Sequence, residues 1–245
     1  MKRETEISVV LPAHNEAERI SEAMKQTKQS LGKISASFEI LIAEDGSTDG
    51  TAEIARRIEA EEPCVRHIHS AERLGKGKAL GRALKQAKGG IIAFIDVDLS
   101  TDMQHVKELV EAIRNEGYDF AAGSRLLKGS EVTRSFKRTV MSTVYNLLVR
   151  TVLKSKIRDH QCGFKSFRRQ SLLNILEKVE DEQWFWDTEL LVRAQRAGYR
   201  VKEFPIKWDE KGDTKVETFK DGLRMFSKII KLYYQLRRET KRKPK

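Results

Sequence analysis

Ile91–Ile95 is apolar without interruption, the pattern of a strand buried on both faces of a parallel sheet, and Ile7–Leu11 is a compact, mostly apolar run ended by Pro12. Between and after them the periodicity alternates. Glu16–Leu31 places Ile20, Ala23, Met24, Thr27 and Leu31 at helical spacing, with Asn15 positioned to cap its start. Phe38–Ala43 reads as a second strand and Thr51–Ala60 as a second helix, with Ser47 or Asp49 near its cap. Val65–His69 is a weaker strand, Ala79–Ala87 is helical, and the helix Asp102–Asn115 precedes the strand Phe120–Ala122. This β-α-β-α order predicts an α/β domain with a mostly parallel sheet, flanking helices and functional loops at the carboxyl ends of the strands. After Arg125 the pattern changes. Residues 137–153 put Val140, Val144, Leu148 and Val152 at four-residue intervals, beside Met141, Tyr145 and Val149. Phe219–Leu236 repeats the theme with Phe219, Leu223, Phe226, Ile230 and Tyr233, then runs into a basic tail. With no repeat or low-complexity linker, the expected organisation is one domain over 1–215, in halves 1–125 and 126–215. An amphipathic helix and tail follow over 216–245.

The chain has 245 residues, 39% hydrophobic and 34% charged, enough apolar material for one or two cores. Its net charge of +11 is not evenly spread. Residues 128–158 hold eight Lys/Arg against Glu131 alone, and residues 231–245 hold seven against Glu239 alone. These two segments exceed the whole surplus, so the remainder is close to neutral. Both can be solvated faces; both can also meet an anionic surface or substrate. Cys64 and Cys162 are too few and too far apart for a disulfide scaffold, so a reducing cytoplasm is expected. The longest apolar run is far below the roughly 20 residues of a membrane-spanning helix, and no signal peptide is expected at Met1–Glu6.

The chemistry gathers where strands end. The first strand runs into Pro12-Ala13-His14-Asn15-Glu16, the second into Ala43-Glu44-Asp45-Gly46-Ser47-Thr48-Asp49-Gly50, the fourth into Asp96-Val97-Asp98. Two carboxylates in Asp-x-Asp can share a divalent cation, and Mg²⁺ prefers one or two carboxylates with phosphate and water. Taken alone, Asp45-Gly46 is also a common turn pair, and Arg125 can be an ordinary surface arginine. Gly75-Lys76-Gly77-Lys78 is neither a Walker motif nor G-x-G-x-x-G, and reads as a helix start. Phe164, Phe167, Trp184 and Trp186 are expected in the core. Cys64, His67 and His69 raise the question of zinc, but strand alternation points Cys64 away from the two histidines.

Pro12–Glu16, Glu44–Thr51 and Asp96–Asp98 resemble the signature segments of family-2 glycosyltransferases with the GT-A fold. Gly123-Ser124-Arg125 with Lys128-Gly129-Ser130 resembles a segment of polyprenyl-phosphate sugar synthases. Asp159-His160-Gln161-Cys162-Gly163-Phe164-Lys165 is similar to the Asp-Thr-Gln-Cys-Gly-Phe-Lys pattern of dolichyl-phosphate β-glucosyltransferases, with His160 in place of Thr. Trp186-Asp187-Thr188-Glu189-Leu190-Leu191 and Trp208-Asp209-Glu210-Lys211-Gly212 fit the same subgroup, and the likeness spans Ile7 to Lys215. The membrane-spanning segment of many relatives is not evident, so a separate membrane-anchor partner is one expectation.

The resemblance implies transfer of a sugar from a nucleotide sugar to dolichyl or polyprenyl phosphate, with inversion. UDP-glucose is the expected donor and GDP-mannose the alternative. Pro12, His14, Glu16, Ala43, Asp45, Asp96, Val97 and Asp98 would bind the nucleotide sugar. Asp96 and Asp98 would hold Mg²⁺ or Mn²⁺ against the leaving diphosphate. Arg125, Arg138 and Lys215 would take the acceptor phosphate, with Arg134 as the alternative to Arg138; Asp96, Asp98, Arg125 and Arg138 form the expected catalytic set. A lipid phosphate lies at headgroup level, so the basic-edged helix over 137–153 is expected in the interface at the cytoplasmic face of a membrane. Ordinary packing of that helix is the alternative. A nucleic-acid-binding module would want aromatic residues among the basic ones, and these are absent outside Tyr233-Tyr234.

Overall fold

A computed structural model of the protein describes residues 5–211 and 218–242. Seven strands form the main sheet: β1 (Ile7–Ala13), β2 (Phe38–Glu44), β3 (Val65–Ile68), β4 (Ile91–Ile95), β5 (Phe120–Ser124), β7 (Phe164–Arg168) and β8 (Val201–Pro205). Their order is β3-β2-β1-β4-β7-β5-β8. Only β7 runs antiparallel to its neighbours, β4 and β5. A small parallel pair, β6 (Glu131–Thr133) and β9 (Lys207–Asp209), sits apart. The helices are α1 (Ile20–Gly32), α2 (Thr51–Glu61), α3 (Lys76–Gln86), α4 (Val106–Arg114), α5 (Phe136–Leu153), α6 (Arg169–Leu176), α7 (Trp186–Arg196) and α8 (Thr218–Arg242).

The two apolar runs become central strands. Every residue of β4 is buried, and β1 is buried from Ile7 to Leu11. Alternate side chains feed two cores on opposite faces: Ile7, Val9, Leu11, Ile40 and Ile42 on one, Val10, Leu41, Ile92 and Phe94 on the other. Chain order reverses at the β1–β4 junction. The carboxyl ends of β1, β2 and β4 therefore border a crevice, the usual ligand position in open α/β sheets.

Two local expectations change. Glu16–Arg19 form a turn, so α1 begins at Ile20 and Asn15 does not cap it. Instead Asn15, in the left-handed region at φ 54°, accepts a bond from the Thr48 amide, tying the loop after β1 to the loop after β2. Gly75-Lys76 does start α3, as its spacing predicts. Strand β7 was hidden because Lys165 and Ser166 interrupt its apolar pattern. Both are fully buried: Lys165 Nζ donates to Asp187 Oδ1 at 2.7 Å and to the Cys162 carbonyl at 2.6 Å, and Ser166 donates to the Leu109 carbonyl.

The stripe on α5 divides. Val149 and Leu153 are buried with Val192 of α7 and Ile229, Leu232 and Leu236 of α8, while Tyr145, Leu148 and Val152 pack at the edge of that cluster. Phe136, Val140, Val144 and Leu147 face solvent, 83, 43, 50 and 54% exposed. Ordinary packing thus explains half the helix and leaves a second apolar face uncovered. The basic segment after Lys231 is helical to Arg242, and Glu239 pairs with Arg193 at 2.9 Å. Among the described residues no helix is long and apolar enough to cross a membrane.

His160, where the resembled pattern has Thr, is fully buried. Nδ1 lies 2.7 Å from Asn146 Oδ1 and Nε2 lies 2.9 Å from Ser155 Oγ. Burial, only partly opposed by Asp159, pushes the imidazole down to about 3. The unfolded chain takes up this proton below about pH 6.5, the folded one does not, so stability is lost as pH falls through that window. From about pH 7 to about pH 5 the loss from this group is about 2 kcal/mol. Urea melts over that range should show a shallower pH slope for His160→Thr than for the parent protein; parallel slopes would contradict this account.

Candidate functional site

A cavity of about 680 Å³ opens at the carboxyl ends of β1, β2 and β4. Every described residue expected to bind the nucleotide sugar, the metal or the acceptor phosphate lines it: Pro12, His14, Glu16, Ala43, Asp45, Asp96, Val97, Asp98, Arg125 and Arg138. Arg134, the alternative to Arg138, lines it as well. Lys215 lies outside the described residues.

At the β2 end, Asp45 is buried and braces its surroundings. Its Oδ1 accepts from the Leu74 amide at 2.6 Å and its Oδ2 from the Gly75 amide at 2.9 Å. The turn-ending reading of Asp45 is thus part of its work: the carboxylate fixes the loop before α3. His14 Nδ1 lies 2.7 Å from the Asp45 carbonyl. Gly46, at φ +60°, would drive a side chain into the Glu72–Arg73 backbone, so this loop admits no Cβ.

Asp96 and Asp98 stand side by side after β4. Burial and the negative charge of Asp96 raise Asp98 above the ordinary carboxylate range. Lys76 Nζ lies 2.8 Å from Asp96 Oδ1. Burial disfavours the ammonium of Lys76, but Asp96, Asp187 and Asp98 outweigh it and hold its pKa above the usual value. Two carboxylates from one loop, their mutual repulsion relieved only in part by Lys76, suit a hard divalent cation, so the residues present fit Mg²⁺ or Mn²⁺. The approach of β4 to the loop before β7 is intimate: the Asp96 amide donates to the Gly163 carbonyl at 2.9 Å, and a Cβ on Gly163 would overlap the Asp96 carboxylate.

Three arginines form the opposite wall. Arg125 is held in a fork by Asp159, Nε to Oδ2 at 2.7 Å and Nη2 to Oδ1 at 2.8 Å, and its guanidinium lies 5.6 Å from the centre of the Trp208 ring. Burial opposes both charges of this pair, yet each is favoured by the other: Asp159 lies well below the carboxylate range and Arg125 above its own. Arg138 pairs with Glu210. Arg134 donates to Thr139, and burial together with the charges of Arg125 and Arg138 lowers its pKa. Such convergence of guanidinium groups is an anion site in waiting. Beyond it the lining turns apolar with Val140, Val144 and Leu148 of α5 and Met225, Phe226 and Ile229 of α8.

Several lining residues were not assigned to the site from sequence. Lys76 sat in the glycine-rich segment read as a helix start. Trp184, expected in the core, lines the cavity with Lys76 Nζ 5.3 Å from its ring centre, whereas Trp186 is in the core against Phe94 as expected. Asp187 joins them only because Lys165 crosses from β7 to meet it. Conversely, Glu189 is buried and paired with Arg193 at 2.7 Å, away from the cavity wall.

A mostly parallel sheet with flanking helices and acidic groups at its strand ends is the GT-A architecture. The chain matches the model of glycosyl transferase family 2 over residues 8–176 and belongs to that family of glycosyltransferase enzymes. It is 50% identical to glycosyltransferase AglD of Haloferax volcanii over 94% of its length, spanning 37% of that longer protein. It is 30% identical to the dolichyl-phosphate beta-glucosyltransferase of Saccharomyces cerevisiae, over 91% of this chain and 73% of that one. Among solved structures it is similar in fold to glucosyl-3-phosphoglycerate synthase from Mycobacterium tuberculosis in complex with Mn²⁺, UDP and glucosyl-3-phosphoglycerate. There the TM-score is 0.64 and identity 24%, covering 94% of this chain and 78% of that one. The mannosyltransferase PcManGT from Pyrobaculum calidifontis in complex with GDP-Man and Mn²⁺ gives a TM-score of 0.64 at 20% identity, over 100% and 66% of the two chains.

Gly163→Ala forces Asp96 off Lys76 or the β4–β7 backbones apart. Overpacking of this kind costs roughly 1–3 kcal/mol. Urea denaturation should show that loss, and unchanged stability would contradict the close approach.

Proposed function

We propose that the protein transfers a sugar from a nucleotide sugar to dolichyl or polyprenyl phosphate at the cytoplasmic face of a membrane, giving a β-linked lipid-phosphate sugar. UDP-glucose is the proposed donor. The observation that carries this reading is the continuity of the cavity: acidic strand ends, then three arginines, then an apolar trough between α5 and α8. That sequence of surfaces suits a sugar diphosphate, an acceptor phosphate and a hydrocarbon chain. The names of the relatives, dolichyl-phosphate beta-glucosyltransferases among them, support the acceptor and the sugar.

The residues divide the work. Asp45 and the loop it braces receive the base, with Pro12, His14, Glu16 and Ala43 around it. Asp96 and Asp98 would hold Mg²⁺ or Mn²⁺, which when bound supplies positive charge to the departing diphosphate. Lys76 adds a fixed ammonium on the same side. Arg125, already oriented by Asp159, and Arg134 with Arg138 draw the acceptor phosphate in and offset its repulsion from the donor. That acceptor is already anionic, so it needs little help from a general base. Attack opposite the leaving diphosphate inverts the anomeric carbon. The exposed face of α5, from Phe136 to Leu147, would lie in the membrane interface with the neighbouring basic residues at headgroup level.

Vesicles carrying dolichyl phosphate, incubated with a panel of nucleotide sugars and Mn²⁺ or Mg²⁺, provide the test. The protein should sediment with anionic vesicles and consume UDP-glucose only when the lipid phosphate is present. Arg134→Ala with Arg138→Ala should raise the lipid KM roughly tenfold, about 1.4 kcal/mol. Phe136→Ser with Leu147→Ser should lose sedimentation but keep turnover of a short-chain acceptor. Lipid-dependent use of GDP-mannose would move the donor assignment alone. Lipid-independent turnover, or tight DNA binding that survives loss of Asp45 and Asp98, would sink the proposal.

A further inference from the structure

A second cluster of metal-ligating groups lies behind the base end of the cavity. Strand β3 pairs with β2 in parallel, His67 opposite Ile42, and continuing that register sets His69 opposite Glu44. Strand alternation then puts Glu44, His67 and His69 on one face. Their ligand atoms all lie within 4.8 Å of one another. Glu44 Oε2 is 2.5 Å from His69 Nδ1 and 3.9 Å from His67 Nε2.

Two features set this cluster apart from a solvated acid–histidine pair. The Glu44 side chain is fully buried, with its other oxygen, Oε1, fixed by the Ser47 amide at 2.6 Å. His67, only 4% exposed, has a buried Nε2 with no hydrogen-bond partner, and that atom faces the Glu44 carboxylate from too far for a hydrogen bond. An unpaired buried imidazole nitrogen costs free energy unless something occupies the gap. Ligands about 2.0–2.2 Å from a tetrahedral cation stand roughly 3.4 Å apart, between the 2.5 and 3.9 Å that separate Glu44 Oε2 from the two histidines. His69 is half-exposed, so its ring can withdraw to ligand distance and leave a fourth position open to water. Glu59 and Arg56 of α2 are the other charges near His67, and their signs offset.

We infer that Glu44, His67 and His69 bind a divalent cation of the zinc class, separate from any cation held by Asp96 and Asp98. Two imidazoles and one carboxylate favour Zn²⁺ over Mg²⁺, which prefers oxygen alone. Cys64 takes no part; the third ligand comes from the neighbouring strand. The site is structural in position. The Glu44 carbonyl accepts from the Ser70 amide and the Ser70 carbonyl from the Gly46 amide, so a cation here would clamp the ends of β2 and β3 beneath the loop that carries Asp45.

Calorimetric titration of chelator-treated protein with Zn²⁺ tests this without reference to turnover. One Zn²⁺ should bind per chain, raise Tm, and resist displacement by excess Mg²⁺. His67→Gln and His69→Gln should each weaken it at least about tenfold, the loss of one ligand, while Asp96→Asn with Asp98→Asn leaves it intact. His69→Gln, at a half-exposed position, guards against misfolding as the cause, with circular dichroism as the check. X-ray absorption of the bound ion should show nitrogen and oxygen neighbours only. No binding, binding unchanged in the two histidine variants, or binding lost with Asp96 and Asp98 would each overturn the inference.

Discussion

The buried fork between Arg125 and Asp159 is the interaction on which the rest of the site depends. It joins the carboxyl end of β5 to the loop that precedes β7, residues 34 apart in the chain. Asp159 also accepts from the amides of Arg125 and Gln161, and Glu203 of β8 holds the Asp159 amide. A loop fixed so tightly can carry Gly163 up against Asp96 with no room for a side chain. The same pair therefore sets one arginine of the anion wall and one carboxylate of the acidic wall. Removing one partner of such a pair leaves a buried charge and costs about 3–5 kcal/mol, so the arrangement serves position more than stability.

The charges around the cavity follow one logic. Three cations around it each have a nearby acid: Arg125 with Asp159, the buried Lys165 with Asp187, and Lys76 with Asp96. These pairs are nearly neutral and rigid. Arg134 stands apart, crowded by the like charges of Arg125 and Arg138. The surplus of +11 lies in two segments of the chain, and the first of them brings Arg134 and Arg138 to the cavity beside the apolar Val140 and Val144. Localised charge beside an uncovered apolar helix face is what a phosphate at a lipid surface calls for, and it contrasts with the broad basic stripe expected of a nucleic-acid binder.

Much of this was legible in the chain before the fold was known, and the reasons are physical. Strands β1, β2 and β4 are mostly apolar and buried on both faces, so their runs stand out, and the acidic residues that follow β2 and β4 are conspicuous. Strand β7 was not legible, because Lys165 and Ser166 are buried by partners that only the tertiary fold supplies. The division of α5 was also invisible: spacing gives a wide apolar stripe, but α8 decides which half is covered. Asn15 looked like a helix cap and instead joins two loops. His67 and His69 were set aside as zinc ligands because Cys64 faces away, and only strand pairing reveals Glu44 beside them.

The central claim is that one cavity holds a nucleotide sugar at the strand ends and a lipid phosphate at the arginine wall. A crystal structure with UDP, Mn²⁺ and a short-chain isoprenoid phosphate tests it most directly. The account predicts the acceptor phosphate within hydrogen-bond distance of Arg125 and of Arg134 or Arg138, with its chain running between α5 and α8. A phosphate bound elsewhere, or a chain leaving the cavity away from those helices, would contradict it.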